Sequence, residues 1–364
     1  MLGFIVWRSR HGSLDTLHRV LVPLLATLLL NGCSSLDYYT QLAHGQFDLL
    51  RSREPIEKVM ADPARDASLR ARLADAQHAR VFASEQLGLP NNRSYRLYAD
   101  IHRPFVVWNV FATPEFSLSP VQYCFPIAGC VAYRGYYQQG RARGAAALLR
   151  QQGLDVYTGG VEAYSTLGWF DDPILSSMAG WSSERLATLI FHELAHQQVY
   201  VPGDTAFNES FATFVEQEGT RQWRAAQGMP PENDQQAARR DAFVHLVLGL
   251  RDRLQAVYSK PLATAAMGEA KQGEIERFRR DYYHLRDSQW SGKGLYDAWV
   301  AAPINNAKLL PFGLYDQWVP AFAALFNNNE QHWPAFYQAV RALGALPTVQ
   351  RTQALQALLN KRQV

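Results

Sequence analysis

Hydrophobic and polar positions divide the chain after residue 35 into three zones. Between 36 and 90 the apolar side chains recur every three or four residues, which predicts helices. Between 94 and 166 the chain is rich in aromatic and β-branched residues, as strands are, and one helix is predicted at 140–152. From 182 to 360 the helical pattern returns, with Pro and Gly at its breaks. Because helices and strands are segregated along the chain, the pattern predicts an α+β fold that is mainly helical.

The beginning of the chain has the pattern of an export signal. Three arginines precede an apolar run that extends from Val20 to Leu30. A helix needs about 20 apolar residues to cross a bilayer, so this run is too short for a permanent anchor and fits the central part of a signal peptide. We therefore expect residues 1–32 to be a signal peptide and residues 33–364 to form a single domain.

The segment Leu30-Asn31-Gly32-Cys33 resembles a bacterial lipobox, although Asn31 is an unusual occupant of its place. The resemblance implies cleavage before Cys33, lipidation of Cys33 and attachment of the protein to a membrane of the bacterial cell envelope. Ser34 rather than Asp follows the cysteine, which by similarity to sorted lipoproteins favours the outer membrane, facing the periplasm. The alternative is a soluble secreted protein in which Cys33 has no such role.

Two further cysteines, Cys124 and Cys130, lie close together in the segment YCFPIAGCVAYRGYY. Exported proteins meet an oxidising compartment, and Pro126 and Gly129 can turn the chain between the two thiols. We therefore expect a Cys124–Cys130 disulfide. Two reduced, buried thiols are the alternative.

Composition and charge exclude several classes of protein. The 48% hydrophobic and 12% aromatic residues are typical of a folded chain, which excludes a disordered or fibrous one. Lys and Arg number 36 against 33 for Asp and Glu, a net charge of +3, and no basic run stands out, so we expect no nucleic-acid partner. No internal repeat is apparent, which argues against a solenoid or a propeller.

The candidate chemistry lies where the strand-rich zone meets the second helical zone. Ser182 or Ser183 can cap a helix that contains His192, Glu193 and His196 as an HExxH motif. Residues four apart lie on one face of a helix, so both imidazoles can bind one tetrahedral zinc ion. Glu193 can then act as the general base on the water that the zinc activates. The alternative is an exposed helix that carries two histidines and a glutamate without a metal.

A catalytic zinc site needs a third protein ligand. The metzincin pattern fails, because Val199 and Pro202 occupy the places of its Gly and His. The segment Asn208-Glu209-Ser210-Phe211-Ala212 follows instead, so that 197–208 separate His196 from Glu209. It resembles the NEGFA-type segment that supplies the glutamate ligand in gluzincin peptidases such as thermolysin and membrane alanyl aminopeptidase, although the spacing in those enzymes is longer.

We expect Glu209 to be this third ligand, on a second helix that Asp204 or Thr205 can cap. Glu216 lies seven residues later on the same helical face and is the rival ligand. An ordinary first-turn acid, stabilised by the helix dipole, is the alternative for Glu209.

The resemblance extends beyond these motifs to several segments that occur in the same order. They are the lipobox, FPIAGCVAYRGYY, AYSTLGWFDDPIL, LIFHELAHQQVYVPGDTAFNESFATFVE and the late NNAKL and YDQWVPAF. Together they are similar to the bacterial lipoprotein family of putative aminopeptidases with an HExxH, gluzincin-like zinc site. The resemblance covers most of the chain after Cys33 and implies a zincin-like fold, with an antiparallel or mixed sheet before the HExxH helix.

The same resemblance implies a zinc metallopeptidase, an aminopeptidase that acts on the N-termini of peptide or protein substrates, with Zn²⁺ as its cofactor. Two alternatives remain open. One is an endopeptidase of envelope quality control, and the other is an interaction or assembly module built on a zincin fold.

Three residues outside the zinc motif are candidates for further roles. Glu162, on a predicted strand before the HExxH helix, resembles the glutamate of the GAMEN-type strand that binds the free amino group of the substrate in alanyl aminopeptidases. Tyr315 and Asn306 lie in a polar stretch within an apolar region, and we expect Tyr315 to stabilise the oxyanion and Asn306 to bind substrate. The alternatives are a solvent-facing Glu162, a Tyr315 packed between helices, and an Asn305-Asn306 pair that caps a helix.

Overall fold

The computed structural model describes residues 36–125, 129–163, 165–231, 234–312 and 317–360. The expected signal peptide, its cleavage point and the lipidation site Cys33 lie outside these residues, and so does Tyr315. Contacts divide the chain into two units, one from Met1 to Arg51 and the other from Ser52 to Val364. In the first unit the described residues form one helix, α1, at 36–51.

The second unit begins with a short strand inside the zone where only helices were expected. Strand β1 (Arg53–Pro55) pairs antiparallel with β2 (Leu97–Ala99), and β2 pairs parallel with β8 (Ile174–Leu175). Pro55 explains the difference, because its ring opposes a continuous helix, and it lies directly before helix α2 (Ile56–Ala61). Helix α3 (Ala67–Glu85) then completes this zone.

The strand-rich zone forms two further small sheets. Strand β3 (Val107–Pro114) is central, with β6 (Tyr133–Tyr136) and β7 (Leu154–Val161) antiparallel on either side. Strands β4 (Tyr123–Phe125) and β5 (Gly129–Val131) form a hairpin. The expected helix of this zone is α4 (Gln139–Gln151), shifted by one residue.

The second helical zone contains nine described helices. They are α5 (Ser183–Gln198), α6 (Thr205–Ala226), α7 (Asp234–Tyr258), α8 (Thr264–Gln289), α9 (Asp297–Ala301), α10 (Asn306–Leu309), α11 (Val319–Asn328), α12 (Trp333–Gly344) and α13 (Thr348–Asn360). A single 3-10 turn, Ser176–Met178, precedes them. Small sheets combined with a majority of helix confirm the α+β prediction.

Helices α5 and α6 pack against each other at the centre of the second unit. The pairs Thr188–Thr220 and His192–Glu216 run in opposite directions along the two helices, which are therefore antiparallel. Gly219 permits the close approach, because a Cβ there would lie 2.7 Å from Cδ1 of Leu87 and 3.2 Å from Cδ2 of Phe191. The apolar faces of α5 and α6 are buried, and the other faces of the two helices carry polar side chains.

A second apolar core lies between α7 and α8. The ring of Phe243 stacks on that of Tyr296, with centroids 3.8 Å apart, and the buried Phe278 and Tyr282 pack around them. Within the described residues, no helix is both long enough and apolar enough to cross a membrane.

Candidate metal and active site

The HExxH residues lie on α5, as the sequence predicts. The Oγ of Ser182 accepts a hydrogen bond from the backbone N–H of Arg185 at 3.1 Å and caps the helix. Leu186, Ile190 and Leu194 are buried in the core. The helical period therefore turns His192 and His196 towards α6.

Helix α6 returns immediately after a six-residue link, 199–204. Asp204 is the cap, and its Oδ1 accepts a hydrogen bond from the N–H of Phe207 at 3.0 Å. The buried Asn208 closes the link, because Nδ2 donates to the carbonyl of Val201 at 2.7 Å and Oδ1 accepts from the N–H of Val201 at 2.8 Å. These contacts fix the first turn of α6 and hold Glu209 opposite α5.

The polar atoms of His192, His196 and Glu209 converge on one point. Nε2 of His192 lies 3.2 Å from Nε2 of His196, and these atoms lie 3.5 Å and 3.7 Å from Oε2 of Glu209. Ligands about 2.1 Å from a tetrahedral ion are about 3.4 Å from one another. The three residues therefore fit a zinc-sized ion, and they form the one such group of His, Cys, Asp and Glu side chains among the described residues.

Glu216 contacts the other side of the His192 ring. Its Oε2 lies 2.8 Å from Nδ1 of His192, while Nε2 of the same ring points to Glu209. A carboxylate on the second ring nitrogen fixes the tautomer and the orientation of a metal-binding histidine. This geometry favours Glu209 as the ligand and gives the rival, Glu216, an orienting role.

The carboxylates around His192 make the site strongly attractive to cations. Burial disfavours the charged imidazole, but hydrogen bonds to Glu209 and Glu216 outweigh this effect and raise the pKa of His192 to about 10. Burial also opposes the charge on Glu209, and hydrogen bonds to His192 and His196 nevertheless lower its pKa to about 2. The site therefore favours an anionic Glu209 with a positive charge beside it.

Glu193 follows His192 on α5, and its charge interacts with those of His192, His196 and Glu209. Gln197, one turn later on the same face, accepts a hydrogen bond from Asn92 at 2.6 Å and donates one to Ser94 at 3.3 Å. Burial raises the pKa of Glu193. Tyr95, 1% exposed, follows Ser94 in the same loop, and burial and the nearby charge of Glu193 raise its pKa well above the usual value.

The loop that carries Tyr95 is held by a buried arginine. The guanidinium of Arg80, which is 0% exposed, donates to the carbonyls of Ser94, Pro90 and Asn92. Tyr95 has a φ of 64°, a conformation that bulky residues rarely adopt. Such strain is commonly found at functional sites, where the surrounding contacts enforce it.

Two tyrosines that the sequence analysis did not identify lie at the ligand cluster. The ring of Tyr200 lies 6.4 Å from that of His196, and burial and the charge of Glu209 raise the pKa of this phenol. Burial, followed by repulsion from Glu209, also raises the pKa of Tyr133, on β6. The i, i+4 relation to His196 could have revealed Tyr200, whereas Tyr133 comes from a distant strand and no local signal indicates it.

Glu162 lies directly after β7 and is already engaged by two side chains. Its Oε2 accepts hydrogen bonds from Arg185 at 2.6 Å and from the indole of Trp181 at 3.2 Å. The guanidinium carbon of Arg185 in turn lies 3.7 Å from the ring centre of Trp181. The negative charge of Glu162 is therefore paired within the protein, and its binding of a substrate amino group stays a prediction.

Asn306 is buried at the start of α10, away from the ligand cluster. Its Nδ2 donates to the carbonyls of Pro114, Glu115 and Ser117, and its Oδ1 accepts from the hydroxyl of Tyr258. These contacts engage both polar atoms of the amide within the protein, and substrate binding by Asn306 stays a prediction. Its neighbour Asn305 is the helix cap, as one alternative expected. The other member of this predicted pair, Tyr315, lies outside the described residues.

Cys124 and Cys130 form a disulfide across the β4–β5 hairpin, with their Cα atoms 3.9 Å apart. Strand β6, which carries Tyr133, begins only three residues after Cys130. The disulfide therefore restrains the segment that leads to the tyrosine beside Glu209.

Comparison with known proteins gives one result. The model of a family described as Putative aminopeptidase matches residues 37–355, which is well over half of the chain and contains the complete ligand cluster. No curated protein and no solved structure matches the chain.

Proposed function

This chain belongs to the family of putative aminopeptidases, and from that premise we propose that it is a zinc-dependent peptidase that removes N-terminal residues from peptides. The observation that carries the proposal is the triangle of ligand atoms from His192, His196 and Glu209, all within 4.8 Å of one another. Two imidazoles and one carboxylate are the ligands of catalytic zinc sites, which leave a fourth position open. A zincin-like arrangement of α5 and α6 is part of this proposal.

Zinc at this position would polarise the carbonyl of the scissile bond and lower the pKa of a water molecule to about 7. Glu193, adjacent to His192 on α5, is the general base in this proposal. It takes a proton from the attacking water and returns it to the amine that leaves. Glu216 holds the His192 ring through Nδ1, so that Nε2 stays directed at the metal.

The oxyanion that forms during hydrolysis requires a hydrogen-bond donor besides the metal. Tyr315 stays a prediction for this role. Tyr133 and Tyr200 are further candidates, because both phenols interact electrostatically with Glu209 and both keep their protons at neutral pH.

Attachment to the bacterial envelope is a further part of the proposal. The export signal and the lipobox support lipidation at Cys33 and an outer-membrane protein that faces the periplasm. The disulfide between Cys124 and Cys130 is consistent with an oxidising compartment of this kind.

The decisive experiment compares the purified protein with its Glu193→Gln variant on a peptide library, with cleavage products identified by mass spectrometry. We expect the protein to release single N-terminal residues. The Glu193→Gln variant should retain one zinc per chain and lose at least about 100-fold in kcat, because general-base catalysis contributes roughly that much.

The other outcomes separate the alternatives. Internal cuts that depend on Glu193 would indicate an endopeptidase. Absence of cleavage by a protein that holds one zinc would favour the interaction module, and undiminished cleavage by Glu193→Gln would overturn the mechanism.

A further inference from the structure

A groove beside the ligand cluster carries charged side chains that the proposed mechanism does not use. It has a volume of about 440 Å³ and is lined along α5 by Arg185, Thr188, Leu189 and His192, with Trp181 beyond the start of that helix. Glu216 of α6 and Arg240 of α7 line the groove as well. The groove therefore leads from the back of the His192 ring towards the first turn of α5.

Arg185 is held in a fixed position at the far end of this groove. Its guanidinium carbon lies 3.7 Å from the ring centre of Trp181, and Trp181 itself is only 9% exposed. Glu162 accepts a hydrogen bond from one terminal nitrogen of Arg185, and it is the one acceptor for this guanidinium among the described residues. Arg185 nevertheless remains 56% exposed. Since a guanidinium has five N–H donors, most of them remain available to a ligand.

The charges of the lining residues indicate which chemical group the groove can bind. Arg185 and Arg240 are cations, and Glu216 is the one carboxylate among the lining residues. Glu216 is already engaged by Nδ1 of His192 at 2.8 Å, and Glu162 does not line the groove. A carboxylate is the group that an arginine fork binds best in a peptide.

The position of Arg185 relative to His192 indicates how far a substrate carboxylate bound to Arg185 lies from the cleaved bond. Arg185 precedes His192 by seven residues on α5, which corresponds to about 10 Å along the helix axis. An extended peptide advances about 3.3 Å per residue. The carboxylate is therefore about three residues away from the bond at the metal.

We propose that this groove binds a carboxylate of the peptide substrate about three residues from the cleaved bond, with Arg185 as its receptor. The proposal rests on the function proposed above and, because Arg185 is hydrogen-bonded to Glu162, it replaces the predicted binding of the substrate amino group by Glu162. An aminopeptidase substrate has one residue before the cleaved bond, so the carboxylate lies on the leaving side. It is either an acidic side chain or the terminal carboxylate of a short peptide.

Matched peptides with free N-termini test this proposal. The first pair is Ala-Ala-Ala-Glu-Ala-amide and its Gln analogue, and the second is tetra-alanine as the free acid and as the amide. We expect the carboxylate member of at least one pair to have a kcat/KM about 10- to 100-fold higher, as for a hydrogen bond to a charged group. The pair that shows the difference identifies the source of the carboxylate.

Variants of Arg185 assign the effect to the groove. Arg185→Gln should abolish the ratio within the responding pair, whereas Arg185→Lys should retain part of the ratio. Arg221→Gln is the matched control, because Arg221 is an exposed arginine of α6 that pairs with Glu218 and does not line the groove. Thermal unfolding of each variant verifies that it is folded.

Binding to the inactive Glu193→Gln protein gives a second readout that does not depend on turnover. Titration calorimetry should show the same 10- to 100-fold preference for the carboxylate peptide, and Arg185→Gln in that background should remove it. Equal kcat/KM values for the two peptides of each pair would overturn this inference and leave the proposed function intact. A preference for the carboxylate peptide that persists in Arg185→Gln would have the same meaning. Absence of cleavage of all four peptides, together with selective binding, would instead overturn the proposed function and support the groove.

Discussion

Two clusters of buried polar side chains lie in the second unit, and they differ in what their polar atoms face. The first cluster surrounds Asn306. Its side-chain amide, the carboxylate of Asp155 and the ammonium of Lys271 form hydrogen bonds with one another or with backbone atoms, at 2.7–3.4 Å. Around Glu209, three ligand atoms instead face one another across 3.2–3.7 Å. The first cluster is complete within the protein, whereas the second is arranged around a point that a cation can occupy.

Burial and polarity alone therefore do not indicate a functional site. Every buried polar group needs a partner, and a structural cluster supplies these partners internally. A metal site instead directs imidazole nitrogens and a carboxylate oxygen towards one point that a cation can occupy. The two clusters should therefore respond to substitution in different ways, one through metal binding and the other through stability.

The largest expected effect concerns the ligands themselves. Glu209→Ala leaves two protein ligands, so we expect stoichiometric zinc to be lost after dialysis. Glu216→Ala removes only the partner of Nδ1 and should weaken zinc binding by about 10- to 100-fold while a full equivalent binds in excess metal. Competition with a chelator and metal analysis measure both effects. Zinc loss caused by Glu216→Ala alone would make Glu216 the ligand and break the distinction between the two carboxylates.

An intermediate effect is expected from Lys271, whose side chain is 6% exposed and lies 2.7 Å from Asp155. Lys271→Met leaves this buried carboxylate without its cation, and we expect the free energy of unfolding to fall by about 3–5 kcal/mol. Chemical denaturation measures the change, with the exposed Lys260→Met as the control. Zinc content should stay unchanged, and a loss of zinc at full stability would show that the two clusters are coupled.

The smallest of the three effects is expected from Asn306→Ala. This change leaves the carbonyl of Ser117 and the hydroxyl of Tyr258 without a partner, whereas the carbonyls of Pro114 and Glu115 keep a second donor. We expect a loss of about 3 kcal/mol in the free energy of unfolding. The exposed Asn328→Ala should change that free energy by less than about 0.5 kcal/mol. Unchanged stability together with a raised KM for peptides would instead return Asn306 to the role of a substrate-binding residue.

Local signals explain why the sequence could predict which side chains of α5 and α6 lie together. The helix with HExxH, its cap at Ser182 and the following helix with Glu209 all depend on residues close together in the chain. Helical spacing translates directly into a shared face, so His192 and His196 could be paired before the fold was known. The segregation of helices and strands predicted the α+β class in the same way.

Contacts between distant segments explain what the sequence did not predict. Tyr133 reaches Glu209 from a strand that lies far earlier in the chain, and Arg185 reaches Glu162 from the helix that follows. The polar stretch around Asn306 indicated a residue that needs partners, but only the structure shows that backbone carbonyls supply them. Strand β1 was missed because three residues are too few to establish an alternating pattern.

The six-residue link that Asn208 closes onto Val201 also has a consequence for the unfolded chain. Because the link is so short, the three ligands fall within residues 192–209. Loop-closure entropy grows with the logarithm of loop length, so a short segment keeps its ligands at a high effective concentration even without the fold. Zinc should therefore retain measurable affinity for the denatured protein. Since binding to the unfolded state reduces the stabilisation that a ligand provides, zinc will stabilise this fold less than it would stabilise one whose ligands come from distant segments.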